Sequence, residues 1–217
     1  ATLFYEPSTR TRLSFESAMK RLGGDVLTTE SAQEFSSAAK GETLEDTIRT
    51  LECYADAIVL RHYDDDATER AASVASIPII NAGNGAGAHP TQALLDLYTI
   101  AKEQGTVDGL TVTLMGDLKF GRTVHSLIKL LRMYDVVLRF VSPEELIVPR
   151  EYLNQNDTEH RELCDVLKET DVLYITRVQK ERLSNNVAID FSYAITKTDM
   201  DMAKDDMVLM HPLPRVG

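Results

Sequence analysis

The sequence predicts an α/β protein of two lobes, each a mainly parallel sheet flanked by helices, with an active-site cleft between the lobes. Short apolar runs alternate with helical patterns along the whole chain, and polar or glycine-containing links separate them. A polar link at 104–109 divides the chain near its middle. Apolar strands separated by helices are typical of parallel sheets covered on both faces, which bind ligands at the carboxyl ends of their strands.

The elements follow one another as repeated βαβ units. A first strand ends near Tyr5 and leads through Pro7 into an amphipathic helical stretch at 13–22. Further strands are predicted at 26–28, 57–60, 78–81, 110–115, 136–141, 172–175 and 207–210, and further helices at 44–54, 67–75, 90–104 and 122–134. We therefore expect one domain over 1–104, ending in the linking helix, and a second over 105–217.

The composition excludes several classes of protein. With 217 residues and 43% hydrophobic side chains, the chain can bury a real core. Its 23 Lys and Arg against 34 Asp and Glu give a net charge of −11, which argues against nucleic acid and membranes as partners. Cys53 and Cys164 form no CxxC pair, so we expect no disulfide framework and no metal, and a cytoplasmic location.

The segment Ser8-Thr9-Arg10-Thr11-Arg12 predicts an anion-binding helix N-terminus. Free backbone N–H groups, the positive end of the helix dipole and a guanidinium together suit a phosphate-like group. An ordinary N-cap is the alternative, but three hydroxyls with two arginines exceed what a cap needs. The chain has no GxxxxGK[ST] loop, so a phosphate here is not held as in P-loop proteins.

Two further candidates lie at strand ends in the first domain. Arg61 and His62 follow the strand 57–60, where a solvated strand end is the alternative. The glycine-rich segment 83–88 permits a sharp turn, after which Pro90 opens a helix and His89 and Gln92 project from its first turn. A dinucleotide-binding loop fits this segment poorly, because His89 and Pro90 stand where its helix would begin.

The second domain repeats this arrangement. Arg122 and Thr123 open a helix after the strand 110–115, and an arginine there can bind a carboxylate bidentately. Arg177 and Gln179 follow the strand 172–175 and face the same way if that strand extends so far. After the last strand, the prolines around Leu213 hold its flanking carbonyls rigidly, which suits an amide N–H₂ ligand.

Together these segments resemble the aspartate/ornithine carbamoyltransferase family over essentially the whole chain. Ser8-Thr9-Arg10-Thr11-Arg12 and His89-Pro90-Thr91-Gln92 are similar to motifs of all its members. The segments 121–126, 177–182 and 211–215 resemble the aspartate branch, whereas the ornithine branch usually has a cysteine where Pro212 stands. The resemblance implies transfer of a carbamoyl group from carbamoyl phosphate to the amine of L-aspartate, early in pyrimidine biosynthesis, with no cofactor.

The resemblance also implies roles for individual residues. Carbamoyl phosphate would contact Ser8, Thr9, Arg10, Thr11, Ser36, Lys40, Arg61, His89, Gln92, Pro212 and Leu213, and the catalytic residues among these would be Arg10, Thr11, Lys40, Arg61 and His89. Aspartate would contact Lys40, Arg122, Thr123, Arg177 and Gln179. Oxyanion stabilisation by Thr11, Arg61 and His89, together with orientation of the amine, would supply the rate gain.

Similar enzymes are trimers in which loop residues matching Ser36 and Lys40 enter the neighbouring subunit's site. We therefore expect a homotrimer with shared active sites, and a regulatory chain is a possible partner. The resemblance also implies a strand near 160–163 and additional helical segments at both ends of complete members. We expect the present 217 residues to expose apolar surface and to be marginal in stability.

Three other interpretations stay open at this point. A carbamoyltransferase for another amine, such as ornithine, would differ in substrate profile. A non-catalytic homologue that binds anions would not need Arg10, Arg61, His89, Arg122 and Arg177 together. An α/β domain with merely solvated arginines would not place all of them at strand ends.

Overall fold

The computed structural model describes residues 1–29, 31–32, 37–85, 87–178 and 194–214. The chain divides into two compact units, Ala1–Thr91 and Gln92–Gly217. The named strands of each unit pair only in parallel, so the predicted fold class, two parallel sheets flanked by helices, is confirmed. No helix in these described ranges combines the length and the apolar character that crossing a bilayer requires.

The first unit contains a four-stranded sheet in the order β2-β1-β3-β4. Its strands are β1 (Thr2–Phe4), β2 (Thr28–Thr29), β3 (Ile58–His62) and β4 (Ile79–Asn84), and its helices are α1 (Thr9–Arg21), α2 (Leu44–Leu51) and α3 (Ala67–Val74). Leu3, Ile48, Ile58 and Leu60 lie in one buried core. Both α2 and α3 pack against this sheet through short buried stripes, whereas α1 buries none of its residues fully.

The second unit contains a five-stranded sheet in the order β7-β6-β5-β8-β9. Its strands are β5 (Thr111–Met115), β6 (Val137–Val141), β7 (Thr158–His160), β8 (Val172–Ile175) and β9 (Val208–Met210). Its helices are α4 (Pro90–Gln104), which begins two residues before the unit does, α5 (Arg122–Leu131) and α6 (Lys197–Met202). Short 3₁₀ turns connect several of these elements.

Helix α4 packs with the second sheet. Its Ala93 and Ile100 lie in one buried cluster with Leu114 and Tyr174 of the two central strands. The opposite face of α4 exposes Leu94, Leu95 and Tyr98. The predicted boundary at 104 separates two domains by the ligands they bind, whereas the two units are defined by compactness. The predicted boundary therefore stays a prediction.

The predicted elements are all present, and their bounds differ at identifiable places. Helix 90–104 and strand 172–175 have the predicted bounds. The helices predicted to reach 54 and 134 end at Leu51 and Leu131, because the next residues close tighter i to i−3 hydrogen bonds, such as Tyr54 N–H to the Leu51 carbonyl. The strand expected near 160–163 lies at Thr158–His160, and β4 runs three residues beyond the predicted end at 81.

Candidate functional site

The carboxyl ends of β1, β3 and β4 lie side by side, because these three neighbouring strands run in the same direction. Glu6 follows β1, Arg61 and His62 end β3, and Gly83 and Asn84 end β4. Alternation along β3 puts Arg61 and His62 on opposite faces. His62 is buried between the rings of Tyr5 and Tyr63, so it is part of the core.

Helix α1 begins directly after β1, as predicted. Ser8 is its N-cap residue and has extended backbone angles, but its side chain caps no backbone N–H. Its hydroxyl instead donates to the Thr11 hydroxyl at 3.0 Å. The first turn contains no acidic residue, and Thr9 and Arg10 are exposed. The helix end therefore keeps its positive partial charge available to an anion.

Arg61 is held at the end of β3 by its neighbours on the sheet. Its Nη1 donates to the Ala82 carbonyl at 3.2 Å, and its Nη2 lies 3.3 Å from a Glu6 carboxylate oxygen. Only 11% of its side chain is exposed. Burial lowers the pKa of Arg61, and the Glu6 carboxylate opposes that shift. The guanidinium is thus a positioned, partly desolvated cation, and its partner Glu6 lies two residues before Ser8, the N-cap of α1.

Gly83 brings Arg61 and His89 together. A Cβ at position 83 would lie 3.1 Å from Arg61 Nη1 and 3.6 Å from His89 Nε2, and the backbone has φ +113°. His89 is buried, with 8% of its surface exposed. Because both side chains crowd the space that a Cβ would take, their polar nitrogens face one small volume. The structure therefore brings together two of the predicted catalytic residues.

Two asparagines fix the turn that carries His89. Asn81 Oδ1 accepts from the Gly83 N–H at 2.8 Å, and Asn84 Oδ1 accepts from the Ala88 N–H at 3.2 Å. Asp65 accepts from the Gly87 N–H at 3.0 Å. The polar side chains of this segment therefore stabilise the turn by accepting hydrogen bonds from its backbone N–H groups.

The loop candidates are only partly within the described residues. Lys40 is exposed at the end of the 3₁₀ turn Ser37–Lys40 and makes no hydrogen bond or ion pair with another described residue. Ser36 lies outside the described residues, as does Gln179 of the second unit. In the described part of the chain, no three His, Cys, Asp or Glu side chains are grouped so that they could hold a metal ion.

In the second unit, a tight turn joins β5 to α5. Gly116 has φ +120°, and a Cβ there would lie 2.3 Å from the Thr176 carbonyl oxygen. Asp117 is fully buried and accepts from the Phe120 N–H at 2.9 Å. This turn delivers Arg122 and Thr123 to the first turn of α5, which has a glycine N-cap and no acidic residue. Such a helix start is suited to a carboxylate.

The condition under which Arg177 and Gln179 would face the same way, a strand that extends to them, is not met. Strand β8 ends at Ile175, so strand alternation does not reach Arg177. Thr176 still donates its N–H to the Met115 carbonyl at 2.9 Å, and Arg177 is the next residue. Arg177 itself is half-buried, two residues beyond the strand.

The segment after β9 has an unusual backbone at Leu213. This residue has φ +61°, and its N–H donates to His211 Nδ1 at 2.8 Å. Leu213 is exposed and Pro212 half-buried. The bend after β9 is therefore defined by a local hydrogen bond in addition to the two prolines.

A buried polar network in the second unit was missed by sequence reasoning. Gln92 Nε2 donates to Asp96 Oδ1 at 2.9 Å, and the Tyr174 hydroxyl donates to Asp96 Oδ2 at 2.8 Å. Burial raises the pKa of Asp96 to about 6, and these two hydrogen bonds oppose the shift. Burial, then the Asp96 charge, raise the pKa of Tyr174, and Thr123 opposes this. The i, i+4 spacing of Gln92 and Asp96 on a predicted helix was the available signal.

Two family models match the chain in succession. The carbamoyl-P binding domain of the aspartate/ornithine carbamoyltransferases matches residues 1–102, and the Asp/Orn binding domain of the same family matches residues 108–217. The chain belongs to the aspartate/ornithine carbamoyltransferase family. This confirms the family predicted from the sequence motifs.

Individual carbamoyltransferases are similar along the whole chain. The aspartate carbamoyltransferase catalytic subunit of Archaeoglobus fulgidus is 56% identical over 99% of this chain and 73% of its own length. The chloroplastic aspartate carbamoyltransferase of Oryza sativa is 55% identical over the whole chain, which spans 62% of the rice protein. A Trypanosoma cruzi aspartate transcarbamoylase, crystallised with carbamoyl phosphate and aspartate, matches with 47% identity and a TM-score of 0.90, covering 99% of this chain and 73% of that one.

The first prediction concerns Gly83, where Arg61 and His89 meet. Gly83→Ala should displace Arg61, whose Nη1 would lie 3.1 Å from the new methyl group, and weaken the binding of inorganic phosphate by about 10-fold or more, because a charge-assisted contact is lost. The matched control is Gly23→Ala, which also has positive φ (+84°) but meets no atom within 4 Å. Both variants should lose similar stability in thermal melts, and only Gly83→Ala should lose phosphate affinity by calorimetry. Equal phosphate affinities of the two variants would contradict a role in phosphate binding for the groups that meet at Gly83.

The second prediction concerns the titration of Asp96. Its raised pKa means that the folded state binds the proton more tightly than the unfolded chain does. Asp96 therefore contributes of the order of 3 kcal/mol to the free energy of unfolding below about pH 4, and this contribution is lost as pH rises through about 6. In ¹³C NMR, the Asp96 carboxyl should titrate near pH 6. Asp199, whose pKa the Thr196 hydrogen bonds lower, serves as the control and should titrate below its ordinary value.

Proposed function

We propose that this chain catalyses carbamoyl transfer from carbamoyl phosphate to the α-amine of L-aspartate, giving N-carbamoyl-L-aspartate and phosphate. The observation that carries the proposal is the convergence of Arg61 and His89 on Gly83, beside a helix N-terminus with no acidic first turn. Family membership and about 55% identity to aspartate carbamoyltransferases support the choice of reaction and of aspartate as the acceptor.

The phosphate binds at the N-terminus of α1. Its oxygens contact the hydroxyls and backbone N–H groups of Ser8, Thr9 and Thr11 and the guanidinium of Arg10, with Lys40 as a further cation. Arg61 pairs with Glu6, two residues before the N-cap Ser8, and meets His89 at Gly83. It therefore contacts both the phosphate and the carbamoyl oxygen, and the hydroxyl of Thr11 and the ring of His89 complete the group that stabilises negative charge on that oxygen.

The carbamoyl N–H₂ group needs acceptors. Gln92 supplies its side-chain Oε1, and Pro212 and Leu213 supply backbone carbonyl oxygens from the bend after β9. A substrate with oxygen in place of this N–H₂ would leave these acceptors unpaired, which rejects carboxyl phosphates.

Aspartate binds through its two carboxylates in the second domain, 105–217. Arg122 and Thr123 hold the α-carboxylate at the first turn of α5, where the dipole also favours a negative charge. Arg177, Gln179 and Lys40 hold the β-carboxylate. Cationic side chains at both carboxylates select a dicarboxylic amino acid over ornithine, whose side chain is positively charged.

The reaction requires no covalent enzyme intermediate, no metal and no cofactor. The uncharged amine of aspartate attacks the carbamoyl carbon, the bond from that carbon to the phosphate oxygen breaks, and the departing phosphate takes the amine proton. The protein contributes orientation, worth about 7–11 kcal/mol in favourable cases, and stabilisation of the oxyanion. It also offsets the repulsion between two anionic substrates.

The assembly is a further part of the proposal. Exposed Lys40 and the neighbouring Ser36 serve the active site of an adjacent subunit in a homotrimer, and a regulatory chain is a possible additional partner. A cytoplasmic location is supported by two exposed cysteines, Cys53 and Cys164, that form no disulfide. The net charge of −11 disfavours nucleic acid and membranes as partners.

The third prediction tests the reaction and the role of Arg122. The full-length protein should form N-carbamoyl-L-aspartate from carbamoyl phosphate and aspartate, and no citrulline from ornithine. Arg122→Ala should raise the KM for aspartate by about 100-fold and the KM for carbamoyl phosphate far less, because only the α-carboxylate contact is lost. The control is Arg132→Lys, because Arg132 pairs with Asp157 and has no proposed contact with substrate. Equal effects on both KM values would argue against the assignment.

The fourth prediction tests the shared site. Subunits carrying Lys40→Ala are mixed with subunits carrying Arg61→Ala, both inactive alone, under conditions that exchange subunits. If Lys40 serves a neighbour, each mixed trimer contains an intact site, and carbamoyl transfer recovers in part. Without exchange the mixture should stay inactive, which is the control. No recovery in demonstrably mixed trimers would remove the shared-site proposal.

A further inference from the structure

The second unit buries a carboxylate whose role the substrate contacts do not explain. Asp96 lies on α4 and is 3% exposed, and Tyr174 in the central strand β8 is fully buried. Each Asp96 oxygen receives one donor, Gln92 Nε2 on one side and the Tyr174 hydroxyl on the other. The Tyr174 hydroxyl also interacts with the side chain of Thr123.

Such a group is costly in a core of this kind. Tyr174 and Ala93 belong to an apolar cluster that includes Ile100, Leu114 and Leu127. A carboxylate and a phenol in that setting lose hydration, and the two hydrogen bonds only offset this cost. Leucine at 96 and phenylalanine at 174 would fill the space without it. The polar pair is therefore best explained by what it does for its neighbours.

The carboxylate determines which way the Gln92 amide points. An ionised carboxylate only accepts hydrogen bonds, so the Gln92 group facing Asp96 has to be the N–H₂ group. The Gln92 Oε1 is then directed away from Asp96 and is the atom available to a ligand. A glutamine without this neighbour can reverse its amide at little cost and present either atom.

We propose that Asp96, held by Tyr174, is a positioning residue that fixes Gln92 with its carbonyl oxygen toward the carbamoyl N–H₂ group. This rests on the proposed function, because it specifies how one contact of that site is oriented. The polar chain from Gln92 through Asp96 and Tyr174 ends at Thr123, which the same proposal assigns to the amino-acid substrate.

Asp96→Asn is the informative variant, because it keeps the shape and reverses the polarity of one atom. Tyr174 donates to the remaining carbonyl oxygen, so the new N–H₂ group faces Gln92 and Gln92 has to turn its Oε1 inward. Its N–H₂ then meets the carbamoyl N–H₂, donor against donor. In the full-length enzyme, kcat/KM for carbamoyl phosphate should fall about 10- to 100-fold.

A double-mutant cycle with Gln92→Ala separates positioning from a structural role. If Asp96 acts through Gln92, Asp96→Asn should change kcat/KM by no more than about 2-fold when Gln92 is already absent. Tyr174→Phe keeps the carboxylate facing Gln92, so its effect should be smaller than that of Asp96→Asn and should also vanish in the Gln92→Ala background. Should Asp96→Asn fail to fold, the Tyr174→Phe cycle carries the same test.

The outcomes are distinct. An effect of Asp96→Asn that is equally large with and without Gln92 would make Asp96 a structural residue and overturn the inference, and so would unchanged kcat/KM. Activity of the unsubstituted enzyme with carbamoyl phosphate and aspartate is measured first. Its absence would reject the proposed function itself, whereas an active enzyme with additive variants rejects only the role of Asp96.

Discussion

Parallel pairing is the constraint on which the rest of this structure depends. Because the neighbouring strands of each sheet run in one direction, their carboxyl ends, and the residues that follow them, gather at one edge. In the first sheet this edge carries Glu6, Arg61 and the turn around Gly83. In the second it carries the turns at Gly116 and Thr176 and the bend at Leu213. Groups distant in sequence become neighbours without any special long-range contact.

The features that the sequence predicted well are those determined locally. Helix α4 was predicted with its observed bounds because Pro90 opens it and a glycine follows its last residue. Strand β8 is a short, fully apolar run, and its bounds were also as predicted. The edge strand β7, Thr158–His160, contains no apolar residue. Its pairing with β6 determines its position, and a periodicity argument has no access to that.

In the candidate site, too, the locally determined features could be predicted and those that depend on long-range pairing could not. Motifs pointed to Arg61 and His89, because strand ends and helix starts can be located from local patterns. Their meeting at Gly83 could not be predicted, since it depends on the register of β3 with β4 and on a positive φ. Likewise, Asp96 and Tyr174 are 78 residues apart and look like ordinary helix and strand positions. Polar groups that satisfy one another inside a core leave little trace in composition.

The ion pair between Glu6 and Arg61 has a consequence for ligand exchange. In the structure the Arg61 guanidinium already lies 3.3 Å from a Glu6 carboxylate oxygen and 3.2 Å from the Ala82 carbonyl oxygen. If phosphate binds Arg61 as proposed, it replaces one anion by another, and only the difference between the two attractions adds to its affinity. On the same proposal, departure of the phosphate is assisted, because Glu6 pairs with the Arg61 guanidinium again as the phosphate leaves.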